Sequence, residues 1–333
     1  MKKKNRVSSK DVAREAGVSQ ATVSYVLNDV KHIKIRPETR QAVWDAVKKL
    51  NYHPSHIARG MRLNKSMSVG VISDRSVANY NFMKTLEGIK VGLAKFNYSI
   101  TLLYDTSEEH FPRELISYYK SNRLDGFIFA FALLDESIKE ELDNKKIPYV
   151  IIDSHAHGRG SHEVGTDYLN HLPTLTAVFK KKGAKKLAYF GPRRENETDP
   201  RIEAYLDALK GNALHNSGIH LCSFNDDEIQ VMAHKILLQS ESPQGILAGT
   251  PRFGFHVLKA AAKLGIDVPG KLSVACLGTS AFHGLCHPSM TAVELPLFEM
   301  GRTGAEMLAN LMNDQEGEEL IVLPSEIVMR ESL

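Results

Sequence analysis

One predicted helix near the start of the chain carries short polar side chains where a solvated helix would carry Lys and Glu. Between Ser19 and Asn28, the apolar residues Val23, Val26 and Leu27 recur at helical spacing and define a buried face. The opposite face presents Gln20, Ala21, Ser24, Tyr25 and Asn28. Such groups suit the donor and acceptor edges of bases in a DNA major groove.

A preceding helix and a tight turn position this face. The apolar stripe of the preceding helix consists of Val12, Ala13 and Ala16. Gly17 can take the positive φ that lets the chain turn at once into the next helix. Ser8 and Asp11 have the spacing of a capping box, and Ser19 lies where the next helix needs its N-cap.

A third helix and a short fourth one follow. Pro37 suits the first turn of the third helix, where its missing N–H costs nothing. The core stripe of this helix is Val43, Val47 and Leu50, with Trp44 at its edge. Pro54 ends the helix and Ser55 can cap about two further turns. The sequence therefore predicts a small three-helix unit with a hinge behind it.

Charge is distributed unevenly along the 333 residues. The net charge is only +3, but residues 1 to 65 hold 15 Lys and Arg against 5 Asp and Glu, whereas residues 66 to 333 hold 27 against 34. A basic head on an acidic body indicates a polyanion partner for the head. The alternative is a merely solvated basic segment.

Several classes of protein are disfavoured. No segment approaches the ~18 apolar residues of a membrane span, and MKKKNR is not the start of a signal peptide, so we expect a cytoplasmic protein with no membrane partner. Three scattered cysteines do not form a disulfide framework. Phosphate-loop and nucleophile-elbow motifs are missing, and the histidines of HAHGRGSH and HGLCH lack a second ligand pair. We therefore expect no enzyme, no metal site and no cofactor.

From Val69 onwards, β-rich runs alternate with amphipathic helical segments. The predicted strands are VGVI, ITLLYD, DGFIFAF, YVIID, KLAYFG, IHLCSF, GILAG and LSVACL. This alternation predicts parallel sheets covered by helices on both faces, and so many strands favour two doubly wound halves over one sheet.

The chain resembles the lactose-repressor (LacI/GalR) family of bacterial transcription regulators. The motifs DVA, GVS and TVS with a closing Asn recur at the family's spacing, followed by RPETRQAVWDAVKKLNY and the hinge HPSHIARGM. The resemblance implies a helix-turn-helix domain at 1–52, a hinge helix and linker at 53–66, and an effector-binding and dimerisation domain at 67–333. That last domain would have the fold of periplasmic sugar-binding proteins, with one half at about 69–165 plus 292–320 and the other at about 166–291 plus 321–333.

The resemblance also implies which residues contact DNA. Gln20, Ala21 and Tyr25 stand at the base-reading positions of the family. Phosphate contacts and the flanks of the recognition helix fall to Lys10, Ser19, Thr22, Ser24 and Asn28. In the hinge, the corresponding residues are His56, Ile57, Ala58, Arg59 and Met61. Met61 replaces the Leu that usually wedges into the minor groove, so we expect DNA bending to persist with a more flexible wedge.

A ligand cleft is expected at the carboxyl ends of the strands in both halves. The effector residues implied by the resemblance are Asp74, Tyr80, Phe82, Arg201, Phe224, Thr250 and Gly278. Thr250-Pro251 replaces the usual Asn-Asp, and Gly278 stands where a ligand-binding acid is usual. Arg201 with Arg252 favours a phosphate or carboxylate ligand if they converge; alternatively, both are surface or interdomain groups.

Together these features predict a sequence-specific DNA-binding regulator, most simply a repressor. As a homodimer it would bind a pseudo-palindromic operator in double-stranded DNA, in the nucleoid, under control of a sugar derivative or other carbon metabolite. The main alternative is an architectural DNA-bending protein that ignores effectors. A sugar enzyme on the same fold is a weaker alternative, since fold alone does not establish activity. Dimer and tetramer both remain open.

Overall fold

The computed structural model describes residues 7–27, 33–52, 65–103, 111–132, 134, 136–153, 162–193, 199–315 and 318–333. It divides into two compact units, Met1–Met67 and Ser68–Leu333. We call them the head and the body. Residues Asn28, His56, Ile57, Ala58, Arg59 and Met61, for which DNA contacts are expected, lie outside the described residues.

The described head contains the three predicted helices. They are α1 (Ser9–Ala16), α2 (Gln20–Leu27) and α3 (Pro37–Lys49). Their buried core consists of Val12, Ala13, Val23, Val26, Val43 and Ala46. Pro37 is at the first turn of α3, as expected, and Trp44 is exposed beside the core stripe.

The body contains two six-stranded sheets. The first sheet has the order β11-β5-β4-β3-β1-β2 and is parallel throughout. Its strands are β1 (Ser68–Ile72), β2 (Ser99–Leu103), β3 (Phe127–Ala130), β4 (Tyr149–Ile152), β5 (Glu163–Thr166) and β11 (Leu320–Leu323). The second has the order β12-β10-β9-β8-β6-β7, and only β12 is antiparallel in it. Its strands are β6 (Lys186–Pro192), β7 (His215–Cys222), β8 (Gly245–Ala248), β9 (Ser273–Leu277), β10 (Thr291–Glu294) and β12 (Glu326–Val328).

Helices connect these strands, as the doubly wound pattern predicts. They are α4 (Tyr80–Ala94), α5 (Phe111–Lys120), α6 (Glu136–Asn144), α7 (Leu172–Lys181), α8 (Pro200–Gly211), α9 (Asp226–Leu237), α10 (Pro251–Lys263) and α11 (Leu297–Leu311), with a 3₁₀ turn at Tyr168–His171. All eight apolar runs predicted as strands contain one. Strands β5, β10, β11 and β12 were not predicted.

The chain passes between the two halves three times, after β5, after β10 and after β11. The crossing expected at about residue 292 lies after Glu294, because β10 pairs with β9 in the second sheet. The crossing expected at about residue 320 lies after Leu323, because β11 pairs with β5 in the first sheet. Both boundaries between the halves are therefore set by a short strand, β10 or β11, that pairs with a strand of an existing sheet.

Helices α4 and α11 pack so closely that each needs a glycine. A Cβ at Gly88 would lie 1.9 Å from the carbonyl oxygen of Phe298, and a Cβ at Gly301 would lie 2.0 Å from that of Thr85. Because both neighbours are backbone atoms, a side chain there would force the helices apart.

We expect Gly88→Ala to lower the free energy of unfolding of the body by about 3 kcal/mol, the upper end of overpacking costs. Gly211→Ala in α8 is the matched control, since a Cβ there meets no atom within 4 Å. The control should be neutral or stabilise by up to about 1 kcal/mol. Urea unfolding followed by circular dichroism measures both, and equal effects would contradict the close-packing account.

Candidate nucleic-acid interface and ligand cleft

Local hydrogen bonds fix the first two helices of the head. The backbone N–H of Ser8 donates to Asp11 Oδ2 at 3.0 Å, and Ser8 Oγ donates to the same oxygen at 2.7 Å. These bonds lower the pKa of Asp11. Gly17 ends α1 with φ 65°, and its N–H bonds to the carbonyls of Ala13 and Arg14. The predicted capping box and turn are therefore both present.

Hydrogen bonds of residues at the N-terminus of α2 hold its outward face in place. Ser19 Oγ accepts from the N–H of Thr22 at 3.1 Å and shares a 2.8 Å hydrogen bond with Thr22 Oγ1. Gln20 Nε2 donates to Ser9 Oγ at 2.7 Å, which links α2 to α1. Gln20 and Ala21 are exposed, whereas Ser24 and Tyr25 are half-buried. Lys10 is exposed on α1.

The first wall of the expected cleft would lie at the carboxyl end of β1. Asp74 is exposed there, and Tyr80 at the start of α4 is 39% exposed. Phe82 does not belong to this wall as we expected. Phe82 is only 3% exposed, on the buried side of α4. Asn79 Oδ1 caps this helix by accepting from the backbone N–H of Phe82 at 3.1 Å.

Arg201 lies in the second wall but is already paired. Its Nε donates to both carboxylate oxygens of Asp199 at 2.8 and 3.0 Å, and Nη2 donates to Oδ2 at 2.5 Å. Nη1 donates to the carbonyl of Gly249 at 2.8 Å. Burial alone would lower the pKa of Arg201, but the Asp199 hydrogen bonds outweigh it and raise that pKa.

Arg252 is paired with a different carboxylate. Its Nε lies 2.7 Å from Asp226 Oδ1, and His256 Nε2 lies 2.8 Å from the same oxygen. These bonds hold the pKa of Asp226 well below its usual range. The two arginines therefore do not share one anion, which weakens the expectation of a phosphate or carboxylate ligand.

The remaining predicted residues of the second wall offer apolar and neutral polar surface. Phe224 is 43% exposed and stands edge-on to buried Phe253 at 5.6 Å. Thr250 occupies the N-cap position of α10, and its buried Oγ1 has no hydrogen-bond partner among the described residues. Gly278 has φ 98°, a conformation in which a side chain would be strained, so the usual acid does not fit this backbone.

Several residues that we did not predict form polar contacts at this edge of the body. Asp199 is one, although Asp-Pro before an apolar-periodic segment is an N-cap signature that could have identified it. Another is His283, whose buried ring lies 3.4 Å from Cys276 Sγ and 3.3 Å from Glu294 Oε1. Arg330 donates to the same Glu294 oxygen at 2.6 Å.

Among the described residues, no group of three His, Cys, Asp or Glu side chains could hold a metal ion. Of the histidines in HAHGRGSH, only His162 is described. Within the same part of the chain, no helix is both long and apolar enough to cross a membrane.

Two family models match the chain. The model of the bacterial regulatory proteins of the lacI family matches residues 9–55, and that of a periplasmic binding protein-like domain matches residues 176–333. Catabolite control protein A of Staphylococcus aureus is 28% identical over 324 residues, covering 96% of this chain and 97% of the relative. That of Staphylococcus xylosus is 27% identical over 322 residues, with the same coverage.

Solved structures share the fold. A lac repressor dimer bound to operator and the anti-inducer ONPF has a TM-score of 0.82 and 19% identity, covering 98% of this chain and 99% of that one. A complex of the transcriptional regulator CelR with cellobiose has a TM-score of 0.70 and 22% identity, covering 98% and 100%.

The buried histidine makes the stability of the body depend on pH. Burial lowers the pKa of His283 from 6.5, and Glu294 opposes this only in part. The unfolded chain therefore binds a proton first as the pH falls through about 6.5, which removes stability until the folded imidazole also titrates. His162 and His220 have pKa values lowered by burial in the same direction.

We expect the free energy of unfolding to fall between pH 7.5 and pH 5, and His283→Gln to reduce that slope. His287→Gln is the control, because the His287 side chain is 94% exposed and meets water before and after unfolding. Urea unfolding across this pH range measures the slopes. An unchanged slope in His283→Gln would show that this imidazole does not contribute.

Proposed function

The chain belongs to the LacI family of bacterial regulatory proteins, and on this premise we propose that it represses transcription as a homodimer on a pseudo-palindromic operator. The exposed face of α2 is the single observation that carries the proposal. It holds Gln20 and Ala21 on a helix whose N-terminus is capped and whose opposite face is buried. As a DNA-binding regulator, the protein would work at the nucleoid.

Each side chain of this face has a role in the proposal. The amide of Gln20 suits a bidentate contact to adenine, Ala21 suits a thymine methyl, and Tyr25 offers a phenol. Lys10, Ser19, Thr22 and Ser24 would contact phosphates and flanks, and Asn28 with the hinge residues would complete the contacts. Two recognition helices in a dimer require half-sites about one turn, ~10 bp, apart.

We further propose that the domain expected at 67–333, which the body (Ser68–Leu333) represents with its two halves, dimerises and binds a small-molecule effector. The CelR complex contains cellobiose and the lac repressor complex contains an anti-inducer, which supports a sugar derivative as ligand class. The described candidates for contacting it are Asp74, Tyr80, Arg201, Phe224, Thr250 and Gly278. An effector-blind DNA-bending protein is the second candidate, because the internal pairing of Arg201 removes a free ligand-binding cation.

Selection of genomic fragments by purified full-length protein at physiological salt tests the function. A few pseudo-palindromes near promoters are expected, with binding at least 10³-fold tighter than to random DNA. Sequence-indifferent capture that merely weakens with salt would contradict the repressor and favour the architectural protein.

The recognition helix makes a sharper prediction. Gln20→Ala should cost about 1–3 kcal/mol of binding and relax one position of the selected site. Lys10→Ala should weaken cognate and random DNA alike and reduce the salt dependence. Binding isotherms on both DNAs at several salt concentrations distinguish the two effects.

Ser9→Ala is the matched control for Gln20→Ala. It removes the 2.7 Å partner of the Gln20 amide but leaves that amide in place, so base discrimination should persist. Equal losses on cognate and random DNA for Gln20→Ala would exclude the proposed base contact.

A further inference from the structure

The carboxylate of Asp199 occupies the side of Arg201 that a ligand anion would need. The side chains of Arg201 and Asp199 are only 6% and 3% exposed, and the bonds to Asp199 and Gly249 use three of the five N–H donors of the guanidinium. Two N–H donors of Arg201 therefore remain, but the positive charge of the guanidinium is already neutralised by Asp199.

Asp199 is also fixed in place by the backbone. It is the N-cap of α8, and its Oδ1 accepts from the N–H of Arg201 at 3.0 Å. The carboxylate is thus tethered to the same residue that it neutralises. A ligand phosphate or carboxylate would compete with an intramolecular partner at high effective concentration.

Other charges at this edge are of both signs. Arg252 is held by Asp226. On the opposite wall, Asp74 follows β1 and Asp153 follows β4. Buried Tyr168 lies between the halves, close enough to experience the charges of both Asp153 and Arg201. Exposed Arg75 and Arg193 follow β1 and β6 at the same edges, so selectivity against anions rests on the pair of Asp199 and Arg201.

We propose that Asp199 determines the specificity of the cleft, which accepts an uncharged polyhydroxyl ligand and excludes its phosphate or carboxylate derivatives. Such a ligand can use the two remaining Arg201 donors, the Thr250 hydroxyl and the exposed ring of Phe224. The inference rests on the proposed ligand control of the body. The carboxylate of Asp199 would take the place beside Arg201 that the phosphate or carboxylate of a ligand would otherwise occupy.

The test is calorimetric titration of full-length Asp199→Asn with inorganic phosphate. Asparagine keeps an oxygen that can cap α8 but loses the charge, so Arg201 becomes available to an external anion. Phosphate should bind this variant at least tenfold tighter than the wild type. The absence of any gain in a folded variant would overturn the proposal.

The double variant Asp199→Asn with Arg201→Gln is the matched control, because it is electrically balanced like the wild type. Phosphate bound by the basic head is common to all three proteins and cancels in the comparison. The wild type and the double variant should bind phosphate within twofold of each other.

This second comparison decides the proposal if Asp199→Asn alone does not fold. Equal affinities for the wild type and the double variant support exclusion of anions, whereas at least tenfold tighter binding by the wild type overturns it. The titration needs neither operator nor effector, so its failure and that of the fragment selection are distinguishable.

Discussion

The ion pair between Asp199 and Arg201 fastens the carboxyl edge of the second sheet. Arg201 reaches from the first turn of α8 to the carbonyl of Gly249 just after β8, while Asp199 caps the same helix. Breaking one partner of a buried pair generally costs about 3–5 kcal/mol, because the other charge is left without compensation. The arrangement of this edge therefore depends on both side chains.

Side-chain hydrogen bonds also stabilise the crossings between the halves. Asp167, on the first crossing, accepts from the N–H and Oγ of Ser325, on the third, at 2.7 and 2.6 Å. Thr279 Oγ1 accepts from the N–H of Leu295, on the second crossing, at 2.7 Å. A change in the angle between the halves must preserve or break these bonds. A ligand can drive such a change only through different binding energies in the two states.

How much the sequence could predict follows from how local each determinant is. The head was predictable because Ser8, Asp11, Gly17 and Pro37 act within one turn of their own helices. Central strands were predictable from continuous apolar runs. Strands β5, with the sequence EVGT, and β12, with EIV, lack such runs, because pairing with an existing edge creates them. Strand β11, with the sequence LIVL, is an apolar run that was missed.

The cleft was less predictable for the same reason. Its place at the carboxyl ends of the strands follows from topology, and the positions of Arg201 and Phe224 follow from the resemblance. The pairing of Arg201 also depends on Gly249, which is 48 residues away, and Phe82 is buried although the resemblance places it in the cleft. Neither sequence pattern nor resemblance fixes such side-chain orientations.

The late position of β11 and β12 affects how the body forms during synthesis. Each sheet is completed only by a strand after residue 319, and Ser332 then bonds the carbonyl of Val274 at 2.6 Å. The head, in contrast, has its whole described core before residue 53 and can fold while the ribosome is still translating the body. A nascent body keeps the edges of β5 and β10 open until residues 320–328 have been translated. Chaperones and neighbouring chains can therefore bind the nascent body at those unpaired strand edges.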